Sequence, residues 1–322
     1  MLDGALEIRP VESADAPAVL EAWAAAFPGE RRELASWRWA YERNPAGRRA
    51  WAAFDGARVV AHYAALPARA LLRGRPASVA RVVDSFARPE ARGAGAEGAF
   101  ARTARAFFAE HGGAHDALCY GWPVERAWRV GARHLSYEAV RTQTALVFPP
   151  GGEARGAAAV ERLERFDEQA LWLFERCAPR FSCAVVRDAQ WLTWRYLEPP
   201  NGAAECLGVR DERGVLRGLA VLARARLAGR DLDLLVDWLV PEEEPEVGRA
   251  LVGAARARAR SELAAWIPER SAWFARFQDW GARVHPTPWR MAARSFVPRV
   301  DAAWLALDGW FTLGDSDLVL SA

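Results

Sequence analysis

The feature that most constrains this chain is an internal repeat, in which four landmarks recur in the same order in the two halves. A tryptophan-rich segment at residues 37–41 matches one at 191–196, and each is followed by two apolar runs joined by a turn with a glycine after an acidic residue. Two apolar residues and an aspartate then occur at 82–84 and at 235–237, ahead of an alanine-rich helix pattern. Near its end, each half has a proline that is followed within three residues by Glu-Arg, and later a Gly-Ala-Arg sequence. The repeat predicts two copies of one α/β unit, the alternative being a compositional echo of the abundant Ala, Arg and Trp.

The domain organisation follows from the repeat and from the length of the chain. A chain of 322 residues suits two domains of ordinary size. Residues 149–159 are rich in Pro, Gly and Ala and predict a linker. We therefore predict one domain at 1–148 and a second, degenerate copy with a C-terminal tail at 153–322. The predicted fold class is α/β, of the α+β kind with a mixed sheet.

The charge composition excludes several functions. All 43 basic residues are arginines, and 41 acidic residues leave a net charge of only +2. A protein that binds nucleic acid through phosphate contacts needs a larger basic excess, so no nucleic-acid partner is predicted. The absence of lysine excludes Schiff-base and P-loop chemistry, because both need an amine.

The sequence predicts a cytoplasmic protein without a membrane or metal site. No stretch approaches the ~18 apolar residues of a membrane helix, and the N-terminus lacks the pattern of a signal peptide. Two glycines break the helix that would align His111 with His115 as metal ligands. Scattered cysteines without CxxC spacing are typical of reduced core thiols: Cys119, Cys177, Cys183 and Cys206.

Residues 81–112 carry the most informative local pattern. An apolar run with Asp84 inside it predicts a strand that ends at Pro89, which cannot donate to a sheet ladder. Gly93 and Gly95, separated by one residue, let the backbone turn sharply. An amphipathic helix pattern follows, with an apolar stripe made by Phe100, Ala104, Phe107 and Phe108. A glycine-rich turn that leads into a helix after a strand predicts an anion site, although a tight connection without a ligand would look the same.

This segment resembles the GNAT acyltransferase superfamily. The pattern Pro89-x-x-Arg92-Gly93-x-Gly95 after a strand looks like that family's pyrophosphate-binding motif, and the resemblance extends over about residues 5–147. It implies that acetyl-CoA binds between two splayed strands, with Phe86 and Ala87 pairing with pantetheine. It also implies that the loop cradles the pyrophosphate with Arg92, Gly93, Ala94, Gly95 and Ala96.

The chain departs from the family pattern at two places and in its second copy. Glu97 stands where the family has Gly or Ala, and a carboxylate close to a pyrophosphate is repulsive unless it turns away. The tyrosine that often serves as general acid near the position of Gly131 is not evident, and Trp128 stands in that region. In the second copy, residues 242–246 include four glutamates in place of the glycine-rich turn, so we expect that copy to bind no CoA.

The candidate catalytic residues are Asp84 and Tyr120. Acyl transfer from a thioester to an amine needs a base for the amine and an acid for the leaving thiolate. Asp84, directly or through water, is the candidate base, and a solvent-facing strand residue is the alternative. Tyr120 is the candidate acid, with Tyr137 as a competitor. The acidic tail at 310–317 is interpreted as a surface turn, in preference to a segment that folds back to contact a cationic substrate.

The resulting functional hypothesis is an N-acetyltransferase that transfers groups other than aminoacyl. It moves an acetyl or other acyl group from CoA to an amine of a small-molecule or peptide acceptor, and its N-terminal domain binds the donor. One alternative is a non-catalytic scaffold on two degenerate copies, suggested by Glu97. Another is an aminoacyl-tRNA-dependent transferase of the related tandem fold.

Overall fold

A computed structural model describes residues 6–93, 95–151, 158–227 and 229–318. The elements of the first half are β1 Glu7–Pro10, α1 Ala16–Ala26, α2 Leu34–Tyr41, β2 Arg49–Asp55, β3 Arg58–Leu72, β4 Arg75–Ala87, α3 Ala99–His111, β5 Leu118–Gly121, α4 Glu125–His134 and β6 Glu138–Phe148. Those of the second half are β7 Val160–Arg162, α5 Gln169–Cys177, β8 Cys183–Val185, α6 Ala189–Leu192 with a π-helical turn at Thr193–Leu197, β9 Glu205–Arg210, β10 Leu216–Leu227, β11 Arg230–Leu239, α7 Pro245–Arg258, β12 Leu263–Ala265, α8 Ala272–Asp279, β13 Arg283–Ser295, α9 Ala302–Asp308 and β14 Gly309–Trp310. Most of the predicted linker lies outside the described residues.

One mixed sheet runs through both halves, and its strand order repeats about its centre. The order is β1-β2-β3-β4-β5-β13-β6-β12-β11-β10-β9-β7, while β8 joins the edge of β3 and pairs with β14. Read from either end, the order gives the same series of antiparallel hairpins followed by one parallel pair, β4 with β5 and β11 with β12. The predicted fold class and its doubling are therefore confirmed.

The two copies exchange their last strands. β13, from the end of the second copy, lies between β5 and β6, and β6 pairs in turn with β12. Each copy thus has a sheet completed by a strand of the other copy. Because the strand pairs β5–β13, β13–β6 and β6–β12 all join one copy to the other, the sheet is continuous from end to end.

The core lies on both faces of this sheet. Side chains of β3 alternate between the faces: Tyr63 and Ala65 pack with α3, whereas Ala64 and Leu66 belong to the larger cluster that includes α1. α3 turns its predicted stripe inward, with Ala104, Phe107 and Phe108 buried. At the tight β3–β4 hairpin, Arg73 and Gly74 both have positive φ (52° and 73°), as a type I′ turn requires.

Within the described part of the chain, no helix is long and apolar enough to cross a membrane. The same residues contain no group of three or more His, Cys, Asp or Glu side chains placed to hold a metal ion.

Candidate functional site

The site begins where β4 and β5 part. The two strands pair in parallel only from Val79 to Arg81, and their pairing stops at Arg81 and Tyr120. On its other edge β4 continues alongside β3 but is bulged between the pairs His62–Phe86 and Ala64–Val83. A bulge bends the strand and re-aims its side chains. The result is a wedge-shaped opening between β4 and β5.

Asp84 lies in the bulge and is held there from three sides. Its φ of 50° is in the left-handed region, which few non-glycine residues adopt. The ring nitrogen Nδ1 of His62 donates to the backbone carbonyl of Asp84 at 2.7 Å. Arg32 and the hydroxyl of Tyr41 both donate to its carboxylate. These bonds stabilise the strained backbone and the negative charge together.

The predicted glycine-rich turn has the expected geometry. Gly93 and Gly95 have φ values of 112° and 52°, and a 3₁₀ turn at Gly95–Glu97 leads into α3. A Cβ at Gly98, the residue before α3, would lie 2.3 Å from the carbonyl oxygen of Gly93, so only glycine fits there. The turn thus brings backbone N–H groups to the N-terminus of a 13-residue helix, the arrangement that binds anions.

A cavity of about 360 Å³, here the loop cavity, runs from the open edge of β4 to this turn. Five of the seven predicted donor-binding residues line it: Phe86, Ala87, Arg92, Gly93 and Gly95. Ala94 lies outside the described residues, and the carbonyl of Ala96 accepts a bond from Arg105. The guanidinium of Arg92 is engaged with the chain itself, because it donates to the carbonyls of Ala87 and Ala26, both at 3.0 Å.

The sequence analysis missed two further basic residues of the loop cavity, Arg126 and His134. Arg126, Val130 and His134 of α4 all line the cavity. They recur every four residues and therefore share one face of the helix. This spacing was the available signal, but nothing local showed that this face of α4 is opposite the glycine turn.

Glu97 does not enter the loop cavity. Its side chain is 83% exposed, and a carboxylate oxygen lies 3.7 Å from a guanidinium nitrogen of Arg105. The departure from the family pattern therefore places no carboxylate at the anion site.

A second cavity of about 460 Å³, the central cavity, fills the opening between β4 and β5. It shares Phe27, Phe100 and other wall residues with the loop cavity, so the two are continuous. Asp84 and Tyr120, the two candidate catalytic residues, both line it. Burial raises the pKa of Tyr120, so its phenol stays protonated and able to donate.

Tyr137 also lines the central cavity. Its hydroxyl is bonded to that of Tyr63, and its ring packs so closely on Gly131 that a Cβ there would lie 2.1 Å away. A tyrosine is thus present beside Gly131 after all, supplied by the segment after α4. Cys119 lies in the same wall, and burial raises the pKa of its thiol, as expected for an inert core thiol.

The C-terminal tail folds back into the protein, so the surface turn favoured from the sequence is wrong. Asp315 and Ser316 are buried. Arg195 donates to the carbonyls of Gly314 and Ser316 at 3.0 and 2.8 Å, and Arg81 also donates to Ser316. These bonds satisfy tail carbonyls that water would otherwise solvate.

A third cavity of about 410 Å³, the outer cavity, adjoins the central one on the side of α2. Asp84 and Asp317 line both cavities, and Trp39 and Arg32 line the outer one. Asp317 has a buried carboxylate oxygen that accepts no hydrogen bond from any residue the structure describes, and burial raises the pKa of its carboxyl. The tail thus adds a carboxylate that the sequence placed on the surface.

Buried tryptophans pack beside the corresponding strands of the second copy. β11 and β12 pair only at residues 233–235 and then part. The buried indole of Trp273 donates at 3.0 Å to the carbonyl of Val240, the residue after β11. Gly248 is in contact with the rings of Trp273 and Trp238. A donor bound here would have to displace two buried tryptophans.

The acidic turn of the second copy is bonded to neighbouring elements. Glu242 accepts a bond at 3.1 Å from the backbone N–H of Ala272 at the start of α8. Glu244 accepts bonds from Arg217 and Arg176. The glutamates are therefore bonded within the second copy, and they place carboxylates where the first copy has its glycine-rich turn.

Comparisons with known proteins agree with this geometry. The family model described as an acetyltransferase (GNAT) domain matches residues 7–129. No curated protein sequence matches the chain.

Solved structures share the fold at low identity. A GCN5-related N-acetyltransferase from Anabaena variabilis is 12% identical with a TM-score of 0.69, over 91% of this chain and 73% of that one. A GCN5-related N-acetyltransferase from Kribbella flavida is 18% identical with a TM-score of 0.65, over 91% and 72%. The N-myristoyltransferase of Saccharomyces cerevisiae with bound myristoyl-CoA is 11% identical with a TM-score of 0.62, over 91% and 83%. Residues 7–129 therefore match a GNAT acetyltransferase domain, and the doubled fold of the chain is shared with these solved structures.

Proposed function

We propose that the chain transfers an acyl group from CoA to an amine, with the donor bound by the N-terminal copy. The observation that carries this proposal is the continuity of the loop cavity with the central cavity, which joins an anion-binding turn to Asp84 and Tyr120. The GNAT domain supports acyl transfer in general. The fold alone does not decide the donor, since related folds serve different donors.

The pyrophosphate of the donor would bind at the N-terminus of α3. The backbone N–H groups of the turn after Gly93 and the positive end of the helix dipole favour a doubly charged anion. Arg126 and His134 face the same cavity from α4. Pantetheine would then lie along the open edge of β4 beside Phe86 and Ala87, and the thioester would reach the central cavity.

The chemistry would take place where β4 and β5 part. The free amine attacks the thioester carbonyl, the C–N bond forms, and the C–S bond breaks to release the CoA thiolate. The thiolate takes a proton from the Tyr120 phenol, and a carboxylate removes the proton lost by the amine. Asp84 is one candidate for that carboxylate. Asp317 is the other, because a raised pKa makes a carboxylate a stronger base.

The geometry of Glu97 gives no support to the scaffold alternative. It depended on Glu97, and that side chain is exposed and outside the loop cavity. No feature of the site specifically favours an aminoacyl-tRNA donor.

Calorimetric titration with acetyl-CoA tests the proposal. We expect the wild type to bind and Gly95→Glu to bind at least tenfold more weakly, because a carboxylate would face the pyrophosphate. Gly214→Glu is the matched control: Gly214 also has a positive φ, 76°, but lies in a hairpin turn of the second copy with no atom within 4 Å of its Cβ position. A wild type without binding would contradict the function, and unchanged binding by Gly95→Glu would contradict the placement of the donor.

A further inference from the structure

Both copies bond an arginine and a tyrosine to an aspartate of the bulged strand. The two sets are Arg32, Tyr41 and Asp84 in the first copy, and Arg187, Tyr196 and Asp237 in the second. In each set the tyrosine hydroxyl and the arginine both donate to the aspartate. The arginine and tyrosine are nine residues apart in both copies. The two sets are therefore counterparts in the repeat.

In the second copy, the C-terminal tail fills the space in front of this set. Nη2 of Arg187 donates to the carboxylate of Asp315 at 2.8 Å, in addition to its bonds to Asp237. Gly314 lies against the hydroxyl of Tyr196, since a Cβ there would be only 2.0 Å from it. Arg187 is thus paired with two carboxylates, one of its own copy and one brought by the tail.

In the first copy, the corresponding space is the outer cavity. Arg32 is paired with Asp84, its side chain is only 9% exposed, and it lines the cavity. Its Nε is buried without a hydrogen-bond partner among the described residues. A buried guanidinium with an unpartnered N–H is costly unless a ligand supplies an acceptor. Burial lowers the pKa of Arg32, and the attraction of Asp317, which lines the same cavity, offsets only part of this effect.

The charges of the outer cavity are separated along its length. Its three carboxylates, Glu30, Asp84 and Asp317, also line the central cavity, where the thioester would lie. Its three arginines, Arg31, Arg32 and Arg81, line the outer cavity and are not among the residues that line the central cavity. A molecule bound in the outer cavity would therefore face carboxylates at the end next to the central cavity and guanidinium groups at the opposite end.

We propose that the outer cavity binds an acceptor with a carboxylate beside its reactive amine, as in an α-amino acid, and that Arg32 holds this carboxylate as Arg187 holds Asp315. The amine faces the three carboxylates and the thioester. Because Arg32 and Asp84 touch each other, the two groups they recognise are close together in the acceptor. The identification as an acceptor rests on the proposed acyl transfer, whereas binding of the amino acid does not.

The test compares amino acids with the amines that lack only the carboxylate. The pairs are phenylalanine with phenethylamine, lysine with cadaverine, and histidine with histamine. Binding to the protein without donor is measured by calorimetry, and CoA release from acetyl-CoA is followed as a separate readout. We expect at least one amino acid to bind and react on the order of tenfold better than its amine, since a charge-assisted pair in a buried site has about that strength.

Variants of Arg32 decide whether that residue carries the preference. Arg32→Gln should abolish the preference for the amino acid over its amine. Arg32→Lys keeps the positive charge and should retain part of the preference, so it provides the test if Arg32→Gln folds poorly. Arg43→Gln is the control, because Arg43 is exposed just after α2 and lines none of the three cavities. Amines that bind as well as the amino acids, no binding of any amino acid at millimolar concentration, or a preference unchanged in Arg32→Gln would each overturn the proposal. If amino acids bind but acetyl-CoA does not, the proposed function fails and the site remains.

Discussion

Trp39 and Trp194 each donate the indole N–H to the backbone carbonyl of the other, at 2.8 and 2.9 Å. Their rings are stacked with centroids 4.8 Å apart and planes inclined by 14°. Both side chains are buried. The contact is self-complementary, like the centre of a two-fold symmetric dimer interface, although both residues belong to one chain. It holds α2 of the first copy against the π-helical turn of the second.

Replacing either tryptophan by phenylalanine should destabilise the protein by about 1–3 kcal/mol, because one carbonyl of the pair is left buried without its donor. The double variant should cost less than the sum of the two single variants, since the two bonds and the stack share the same residues. Urea unfolding measures both effects. Trp172→Phe is the control, because Trp172 is 54% exposed. Single variants as stable as this control would show that the reciprocal pair contributes nothing.

The doubling of the fold could be predicted from the sequence because each landmark is local. The aspartates at 84 and 237 and the tryptophans before them keep their order, and order is enough to recognise a repeat. The exchange of β6 and β13 could not be predicted, since either strand has the same pattern whichever copy it pairs with.

The candidate site was predicted in part. The glycine turn and the strand before it are contiguous, so their geometry follows from backbone preferences. The burial of Asp315 and Ser316 could not be foreseen, because a Gly-Asp-Ser-Asp segment is typical of a surface turn. It is buried because Arg81 and Arg195, far away in the sequence, donate to its carbonyls.

Donor binding in the loop cavity should depend on Arg126 of α4. Arg126→Gln is expected to weaken acyl-CoA binding roughly three- to tenfold and to make binding less sensitive to salt, because one screened ionic contact with the donor is lost. Arg129→Gln is the matched control: Arg129 lies on the same helix, is exposed, and pairs with Glu125 outside the cavity. Titrations at low and high salt measure the effect. Equal losses in the two variants would mean a general charge effect and contradict the placement.

The pH dependence of turnover should identify the base. Because burial raises the pKa of Asp317, a reaction that uses it as base should accelerate as the pH rises through that elevated pKa. Asp317→Asn should remove this limb of the profile and lower kcat on the order of a hundredfold. Asp84→Asn is measured beside it. If only the Asp84 variant loses the limb, Asp317 is not the base.

His62 should make the folded state sensitive to acid. Burial lowers its pKa to about 3, so the unfolded chain, with a histidine pKa of about 6.5, binds a proton that the native state does not. Stability from this residue is therefore full above pH ~6.5 and declines by up to ~1.4 kcal/mol per pH unit as the pH falls toward the folded pKa. His62→Asn should flatten this slope in urea unfolding between pH 7 and pH 4, whatever its effect on absolute stability. His285→Gln, a change at an exposed histidine, is the control and should keep the slope of the wild type. If His62→Asn leaves the slope unchanged, the acid sensitivity arises from other groups.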